Sequence, residues 1–229
     1  AASLVAYKLQ DLKIIRHASC FKTFISIFGQ DERVVAGDYV FKTPVSCFGA
    51  IKRVTYGEHG LVPMRITIAE GQNVMEMAKL LKDRLPDFNS EEFIKTARDK
   101  EGYLFPDTYF FFPNATPQEI ITKMENNFQS KIKSIKADLD AFKKPLRDVV
   151  IMASIIEDEA ITPDDRRIVS GILWKRLALK MPLQVDAPFR YLDGKGTFDL
   201  STEDLATSSP YNTYKYSGLP PTPISNAGL

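Results

Sequence analysis

Apolar residues recur every three or four positions along much of this chain, which is the spacing of one buried face on an α-helix. One such stretch follows Asn73, and Asn73 with Glu76 three positions later has the polar pattern that caps helix starts. A second stretch follows Thr116 and Pro117, and this helix is expected to bend or break before Pro145. Further helices are predicted over residues 3–14, over residues 44–54 and after Thr162.

Two short segments have the composition of β-strands. Residues 65–68 alternate between polar and apolar side chains and are followed by the turn signal Glu70-Gly71. Residues 39–41 follow Gly37-Asp38 and have a similar character. Short strands mixed with amphipathic helices predict an α+β fold.

The helix predicted after Thr162 begins with charges of the wrong sign for its position. Arg166 and Arg167 lie in the first turn, where positive charge opposes the helix dipole. They either pair with nearby acids or face an anionic ligand, and we favour pairing. The residues expected to pack inward on this helix are Ile168, Ile172, Leu173 and Leu177.

The most informative segment is a run of apolar and small residues, 149–156, that leads into Glu157, Asp158 and Glu159. On a helix, Glu157 shares its face with apolar and small residues at spacings of three, four and seven. A carboxyl group at the edge of such a face loses hydration, which raises its pKa and suits a general acid. Alternatively, the polar end of the helix simply reaches solvent. Asp158 and Glu159 point elsewhere on the helix, as surface or ion-pairing residues.

Composition excludes several classes of function. With 229 residues, 44% of them hydrophobic, the chain can bury the core of one domain or of two modest ones. The net charge of +1 gives no clustered positive surface for nucleic acid. His17, His59, Cys20 and Cys47 lack the short spacings of a metal site, so no metal is expected. The two cysteines form either a disulfide or two buried small side chains, and the sequence leaves both open.

The chain contains no apolar run long enough to span a membrane. It begins at Ala1 without an initiator Met and ends at Leu229 without a terminating element. We therefore expect a fragment from which an upstream piece, such as a signal peptide or an anchor, has been removed.

Two further segments have an unusual composition. Residues 101–112 carry six aromatic side chains, which either fill a core or form a wall for a sugar or a base. Residues 208–226 are rich in Pro, Tyr, Asn and Thr and form either a flexible tail or an ordered loop that borders a polar ligand. Between them, Gln184 and Asp186 lie two residues apart and share one side of an extended segment.

Five motifs in this order resemble those of the YceG-like, or MltG-type, endolytic murein transglycosylases. They are EGYLFPDTY at 101–109, ASIIEDEA at 153–160, MPLQVD at 181–186, SPYNTY at 209–214 and GLPPTPI at 218–224. The resemblance implies a catalytic domain over residues 101–229 that is truncated at its C-terminal end. Residues 1–100 resemble, less closely, LysM-like modules, and a weak similarity at an offset near 72 residues indicates a duplication over 1–57 and 65–100.

The resemblance also implies a location and partners. The substrate is expected to be the glycan strand of peptidoglycan, and the partners peptidoglycan synthases (penicillin-binding proteins) of the elongation machinery. An N-terminal transmembrane helix outside this chain would anchor the protein in the bacterial inner membrane, with the catalytic domain on the periplasmic side. No cofactor is implied.

By the same resemblance, Glu157 is the catalytic general acid and base, which leaves 1,6-anhydro ends on N-acetylmuramic acid. Our candidates for hydrogen bonds to the sugar are Gln184, Asn212 and Thr213. The candidates for stacking on sugar rings are Tyr103, Tyr211 and Tyr214, and those for orienting the substrate are Glu101 and Asp186.

Two alternatives remain open at this point. A hydrolytic muramidase would need a second carboxylate, for which Asp186 is the candidate. A non-catalytic glycan-binding scaffold would bind through residues 1–100. The chain departs from the family pattern at Lys175 and at Ala187-Pro188, which concerns substrate contacts rather than Glu157.

Overall fold

The computed structural model describes residues 2–27, 33–196 and 199–229. These residues form two compact units. One comprises the described residues up to Pro63 together with Phe112–Asn114, and the other comprises Met64–Phe111 with the described residues from Ala115 to Leu229. The division thus lies at residue 63, whereas the sequence analysis set its boundary at residue 100.

The first unit is built from three helices, α1 (Ala2–Asp11), α2 (Ala18–Ile27) and α3 (Cys47–Tyr56). Helix α1 ends earlier than expected because Lys13 has a left-handed backbone, with φ 56°, and the Ile14 N–H turns back to the Leu9 carbonyl. The core between the helices consists of apolar side chains from all three, including Ala6, Leu9, Phe21, Ile25, Ala50, Ile51 and Val54.

The two cysteines of this unit are joined. A disulfide links Cys20 on α2 to Cys47 on α3, which settles the alternative that the sequence left open. The start of α3 is capped by Ser46, whose hydroxyl accepts from the Gly49 N–H at 3.1 Å.

The prediction of a strand over residues 39–41 is wrong. Val40 donates one backbone hydrogen bond to the His59 carbonyl at 2.8 Å, but these residues form no ladder with a second strand. A short alternating segment becomes a strand only when a partner edge is available. The Tyr39 hydroxyl instead donates to the Val35 carbonyl at 2.8 Å.

The second unit contains a two-stranded antiparallel sheet, β1 (Met64–Thr67) with β2 (Thr108–Phe111), in which Ile66 faces Tyr109. Between the strands lie α4 (Val74–Arg84) and α5 (Ser90–Ala97), followed by a 3₁₀ turn at Arg98–Lys100. The remaining helices are α6 (Pro117–Ser134), α7 (Lys136–Phe142), α8 (Leu146–Glu159), α9 (Pro163–Ala178), α10 (Ala187–Asp193) and α11 (Thr202–Ala206). The fold is therefore α+β, rich in helix and with a small sheet.

The helix starts predicted at Asn73 and at Thr116 are confirmed. The Asn73 side chain accepts from the Glu76 N–H at 3.0 Å, and the Glu76 carboxylate accepts from the Asn73 N–H at 3.0 Å. Thr116 and Glu119 form the same reciprocal pair at the start of α6. The expected break in the long helix lies at Ile135, between α6 and α7.

Two hydrophobic clusters organise the second unit. The first lies between the sheet and α4, α5 and α6, and includes Ile66, Met77, Leu81, Phe93, Leu104, Ile121 and Met124. Residues 64–100 supply ten of the sixteen buried residues of this cluster, so they share a core with the later residues. The second cluster packs α8 against α9 and the later segments, with Ile151, Met152, Ile155, Leu173, Leu183 and Ile224.

One part of the α9 prediction is wrong. Ile168 and Ile172 are more than half exposed, whereas Leu173 is buried. The face that packs on the cluster is formed by Val169, Leu173 and Leu177, which follow one another at intervals of four. Ile168 and Ile172 are each one residue away from that row, and this rotates them about 100° toward solvent.

Among the helices that the structure describes, none combines the length and apolar character that a membrane-spanning segment needs.

Replacing Ile121 by Ala is expected to destabilise the second unit. Ile121 is 0% exposed in the first cluster, so its truncation removes buried methyl groups and leaves a cavity, at a cost of about 2–5 kcal/mol in the free energy of unfolding. Urea unfolding of both proteins measures this difference. The matched change Ile161→Ala, at a side chain that is 92% exposed, should shift stability by less than about 0.5 kcal/mol. Equal losses for the two variants would contradict the assigned core.

Candidate active site

A cleft of about 490 Å³ opens on the second unit at the C-terminal end of α8. Its walls come from the turn after β1, from α4, from the end of α8 and from α10. The lining residues are Glu70, Gly71, Gln72, Glu76, Lys79, Leu80, Asp83, Glu157, Asp158 and Arg190.

Glu157 lies in the last turn of α8 and its side chain is only 8% exposed. The apolar run that precedes it is buried in the second cluster, which draws this end of the helix into the protein. Its Oε1 accepts a hydrogen bond from Arg166 Nη2, and its Oε2 accepts from the backbone N–H of Gly228 at 3.2 Å. Arg166 is itself held by Nε, which donates to the Ala160 carbonyl at 3.0 Å.

Burial raises the pKa of Glu157 above its ordinary value of 4.5. The Gly228 N–H and the Arg166 guanidinium act in the opposite direction, while the nearby charge of Glu70 raises the pKa further. The loss of hydration exceeds the stabilisation of the charged form, as the apolar face of the helix led us to expect. Glu157 therefore retains its proton to higher pH than a solvent-exposed glutamate.

The C-terminal segment is ordered and lies along α8. The Ile224 N–H donates to the Ser154 hydroxyl at 3.1 Å, and the Ser225 hydroxyl donates to the Ser154 carbonyl at 3.1 Å. Ser154 is one helical turn before Glu157, so the same segment reaches Glu157 through Gly228. Residues 208–226 were expected to form either a flexible tail or an ordered loop. For residues 224–226 the flexible tail is wrong.

Asn226 connects the C-terminal segment to the turn that follows β1 through hydrogen bonds. Its side-chain amide donates to the Gln72 carbonyl at 3.0 Å and to Glu101 Oε1 at 2.6 Å. Its Oδ1 accepts from the Leu104 N–H at 3.0 Å, and its carbonyl accepts from the Gly71 N–H at 2.9 Å. The turn, the aromatic segment and the C-terminal segment are thus held at one buried residue.

Glu101 is buried below the cleft rather than open to it. Its Oε2 accepts from the N–H of Val74, the first residue of α4, at 3.1 Å. Burial raises its pKa to about 7, against the opposing effects of the hydrogen bonds from Val74 and Asn226. Tyr103, two residues on, packs edge-on against Phe128 with the ring centroids 5.2 Å apart.

The polar candidates near residues 184 and 213 are bonded to one another. Gln184 accepts from Arg176 through its side chain, and its N–H donates to the Thr213 carbonyl at 2.9 Å. The Thr213 hydroxyl donates to the Val185 carbonyl at 2.7 Å and accepts from the Val185 N–H at 3.2 Å.

The remaining candidates also have partners within the protein. The Tyr214 hydroxyl donates to Asp186 at 2.6 Å, and Tyr211 shares a hydrogen bond of 2.7 Å with Thr222. The buried Asn212 donates to the carbonyls of residues 205 and 207. Of the nine residues that the sequence proposed for the site, Glu157 alone lies among those that line this cleft. The substrate contacts of the other eight stay predictions.

The sequence analysis missed Glu70 as a site residue. The pair Glu70-Gly71 was recognised only as the turn that ends a strand, although a charged residue in a turn before a helix is itself a signal. The pairing expected for Arg166 is confirmed by its contact with Glu157. Asp158 forms the expected ion pair, with Arg190 at 3.2 Å.

Within the described ranges, no group of three or more His, Cys, Asp or Glu side chains is arranged to hold a metal ion.

Comparison with known proteins gives the chain a family. The family model described as the YceG-like family matches residues 1–229. This chain belongs to the YceG-like family. The crystal structure of a YceG-like protein from Listeria monocytogenes is similar, with a TM-score of 0.64 and 28% sequence identity, over 100% of this chain and 84% of that one.

Two curated relatives carry a name that describes an activity. The endolytic murein transglycosylase of Bacillus subtilis (strain 168) is 39% identical over 152 residues, 65% of this chain and 42% of that protein. The endolytic murein transglycosylase of Streptococcus pneumoniae serotype 2 (strain D39 / NCTC 7466) is 31% identical over 134 residues, 56% of this chain and 24% of that protein. The matched part is less than half the length of either relative.

Replacing Glu101 by Gln is expected to change how stability depends on pH. A glutamate with a raised pKa binds its proton more tightly in the folded state, so its contribution to stability is present below pH 4.5 and is lost as the pH rises to about 7. The Gln variant loses a hydrogen bond and is less stable at low pH. The stability gap between the two proteins should then narrow by about 3 kcal/mol between pH 4.5 and 7.

Urea unfolding of the two proteins across this pH range measures the gap. The change Glu91→Gln, at an exposed carboxylate in the first turn of α5, provides the control, and its difference in stability from the wild type should vary with pH by less than about 1 kcal/mol. A constant gap for Glu101→Gln would contradict the raised pKa.

Proposed function

We propose that this chain is the catalytic part of an endolytic lytic transglycosylase. It would cleave the bond between N-acetylmuramic acid and N-acetylglucosamine in peptidoglycan glycan strands and leave 1,6-anhydro ends. The observation that carries the proposal is Glu157, a carboxyl group 8% exposed at a cleft, whose pKa is raised by burial. The names of the two relatives support the substrate and the type of reaction.

In the first step, protonated Glu157 donates its proton to the oxygen of the glycosidic bond. The bond between C1 and this oxygen breaks, and positive charge develops at C1 of the muramic acid. The resulting carboxylate is stabilised by Arg166 and by the Gly228 N–H, which already point at its two oxygens. These fixed donors favour the charge that appears during the step, because they need no reorganisation.

In the second step, the C6 hydroxyl of the same muramic acid attacks C1, and its proton passes to the Glu157 carboxylate or to an assisting group. The anhydro ring closes and no water is consumed. Since nucleophile and electrophile belong to one sugar, the entropic part of the barrier is small. The enzyme needs to hold the sugar in a conformation that brings C6 near C1.

The proposal extends to the rest of the protein. We infer that residues 1–100 contain LysM-like modules that hold the glycan strand. The order of β1, α4 and α5 within this range, completed by β2 at Thr108–Phe111 beyond it, supports a small α+β binding unit. Peptidoglycan synthases of the elongation machinery would be partners. The protein would be anchored in the inner membrane by a helix outside this chain, with the cleft on the periplasmic side.

Replacing Glu157 by Gln is expected to reduce cleavage by at least about 100-fold, because the variant has no proton to donate. Purified peptidoglycan is incubated with each protein, and the released glycans are analysed by mass spectrometry. Wild type should release ends that are one water lighter than hydrolysis products. The control Glu203→Gln removes an exposed carboxylate on α11, outside the cleft, and should cleave at the wild-type rate.

Other outcomes would decide between the alternatives. Reducing ends from the wild type, together with a loss in Asp186→Asn as large as in Glu157→Gln, would identify a hydrolytic muramidase. Binding to peptidoglycan without cleavage would identify a scaffold. Either result would overturn the lytic mechanism.

A further inference from the structure

A second carboxylate of the cleft shares a partner with Glu157. Glu70 lies in the turn after β1, and its side chain is 52% exposed. Arg166 Nη1 is 3.9 Å from Glu70 Oε2, while Nη2 of the same guanidinium donates to Glu157. One arginine therefore lies between the two acids and holds them on the same side of the cleft.

Gly228 lies next to both carboxyl groups. Its N–H donates to Glu157 Oε2 at 3.2 Å. A Cβ built on this glycine would collide with the carboxyl group of Glu70, so the absence of a side chain lets Glu70 lie against the backbone there. Both acids thus contact the same residue, and any larger residue at position 228 would displace Glu70.

The turn that carries Glu70 is fixed rather than loose. The Gly71 N–H donates to the Asn226 carbonyl at 2.9 Å, and the Asn226 N–H donates to the Gln72 carbonyl at 3.0 Å. Gln72 Oε1 accepts from the Ala69 N–H at 3.2 Å, which closes the turn. Gly71 has φ 77°, a left-handed conformation that glycine adopts without strain. The backbone of Glu70 is therefore held in place while its side chain faces the cleft.

The surroundings of the two acids differ in the way that acid and base roles require. Glu157 is almost fully removed from water, whereas half of the Glu70 side chain remains exposed. The charge of Glu70 is also one of the influences that raise the pKa of Glu157. Glu157 is thus the enclosed member of the pair, and Glu70 is the member that a substrate hydroxyl can reach.

Other acids of this cleft have different partners. Glu76 is used in the cap of α4 and contacts Arg190, which also pairs with Asp158. Among the cleft carboxylates in the described part of the chain, Glu70 is the one that shares Arg166 with Glu157.

We propose that Glu70 is a second catalytic carboxylate, which accepts the proton of the C6 hydroxyl as this oxygen bonds to C1. The inference rests on the proposed function and adds the base to it. The proton of Glu157 goes to the oxygen of the departing N-acetylglucosamine, which leaves as a neutral alcohol. The proton of the C6 hydroxyl goes to Glu70, and the new bond joins O6 to C1. Glu70 then releases its proton to solvent, and Glu157 is protonated again from solvent.

The test replaces Glu70 by Gln and measures the rate of cleavage against pH with purified peptidoglycan. We expect the maximal rate to fall by about 100-fold or more, which is the usual contribution of a general base. The slower products should still carry anhydro ends, because the nucleophile is unchanged. The fall in rate on the acidic side of the pH profile, which reports ionisation of the base, should disappear in the variant.

Two results would overturn the inference. If Glu70 only tunes Glu157 through its charge, Glu70→Gln keeps the maximal rate, and the alkaline side of the profile moves to lower pH. If Glu70 is only structural, the rate falls but the acidic side of the profile persists. Urea unfolding establishes that the variant is folded, and Glu203→Gln is the control for removal of an exposed carboxylate outside the cleft.

The same assay separates this inference from the proposed function. Anhydro ends from the wild type with an unimpaired Glu70→Gln variant would overturn the role of Glu70 alone. Absence of anhydro ends from the wild type would overturn both.

Discussion

The site depends on one buried side chain, Asn226. Its amide is 1% exposed and bonds the Gln72 carbonyl, the Glu101 carboxyl and the Leu104 N–H. Without this side chain, the Leu104 N–H and one Glu101 oxygen would lose their partner in the interior, at a cost of about 1–3 kcal/mol apiece. The turn after β1 and the C-terminal segment therefore stay together, and with them Glu70 and Glu157 at the cleft.

Burial raises the pKa of both Glu101 and Glu157, yet only Glu157 lines the cleft. Glu101 is enclosed between the start of α4 and Asn226, and both of its oxygens accept hydrogen bonds from the protein. Glu157 is nearly as buried, but it lines a cleft. A raised pKa thus indicates loss of water, and geometry decides whether the proton can be used.

The features that could be predicted from the sequence are local. The caps at Asn73 and Thr116 involve residues three positions apart, and the structure has them as expected. The apolar face predicted around Glu157 is confirmed at Val150 and Ser154, which are buried, but not at Ile161, which lies beyond the end of α8 and is exposed. The bonds that complete the site join residues far apart in sequence: Gly228 to Glu157 across 71 positions, and Asn226 to Gln72 across 154. The spacing of apolar and polar residues along the sequence does not reveal such contacts. The strand expected at residues 39–41 failed for the same reason, because a strand depends on a partner that alternation does not reveal.

The same limit explains why several residues predicted to bind sugar are instead bonded within the protein. Tyr, Asn, Thr and Asp were selected because their side chains can bond a sugar, but the interior of a protein needs the same chemistry to satisfy its own polar groups. Thr213 and Asn212 are buried and bond backbone carbonyls, and Asp186 accepts from Tyr214. Residue type alone cannot distinguish these two uses. What distinguishes them is whether oxygen atoms remain open to a cleft, and by that criterion Glu70 is the better candidate for contact with substrate.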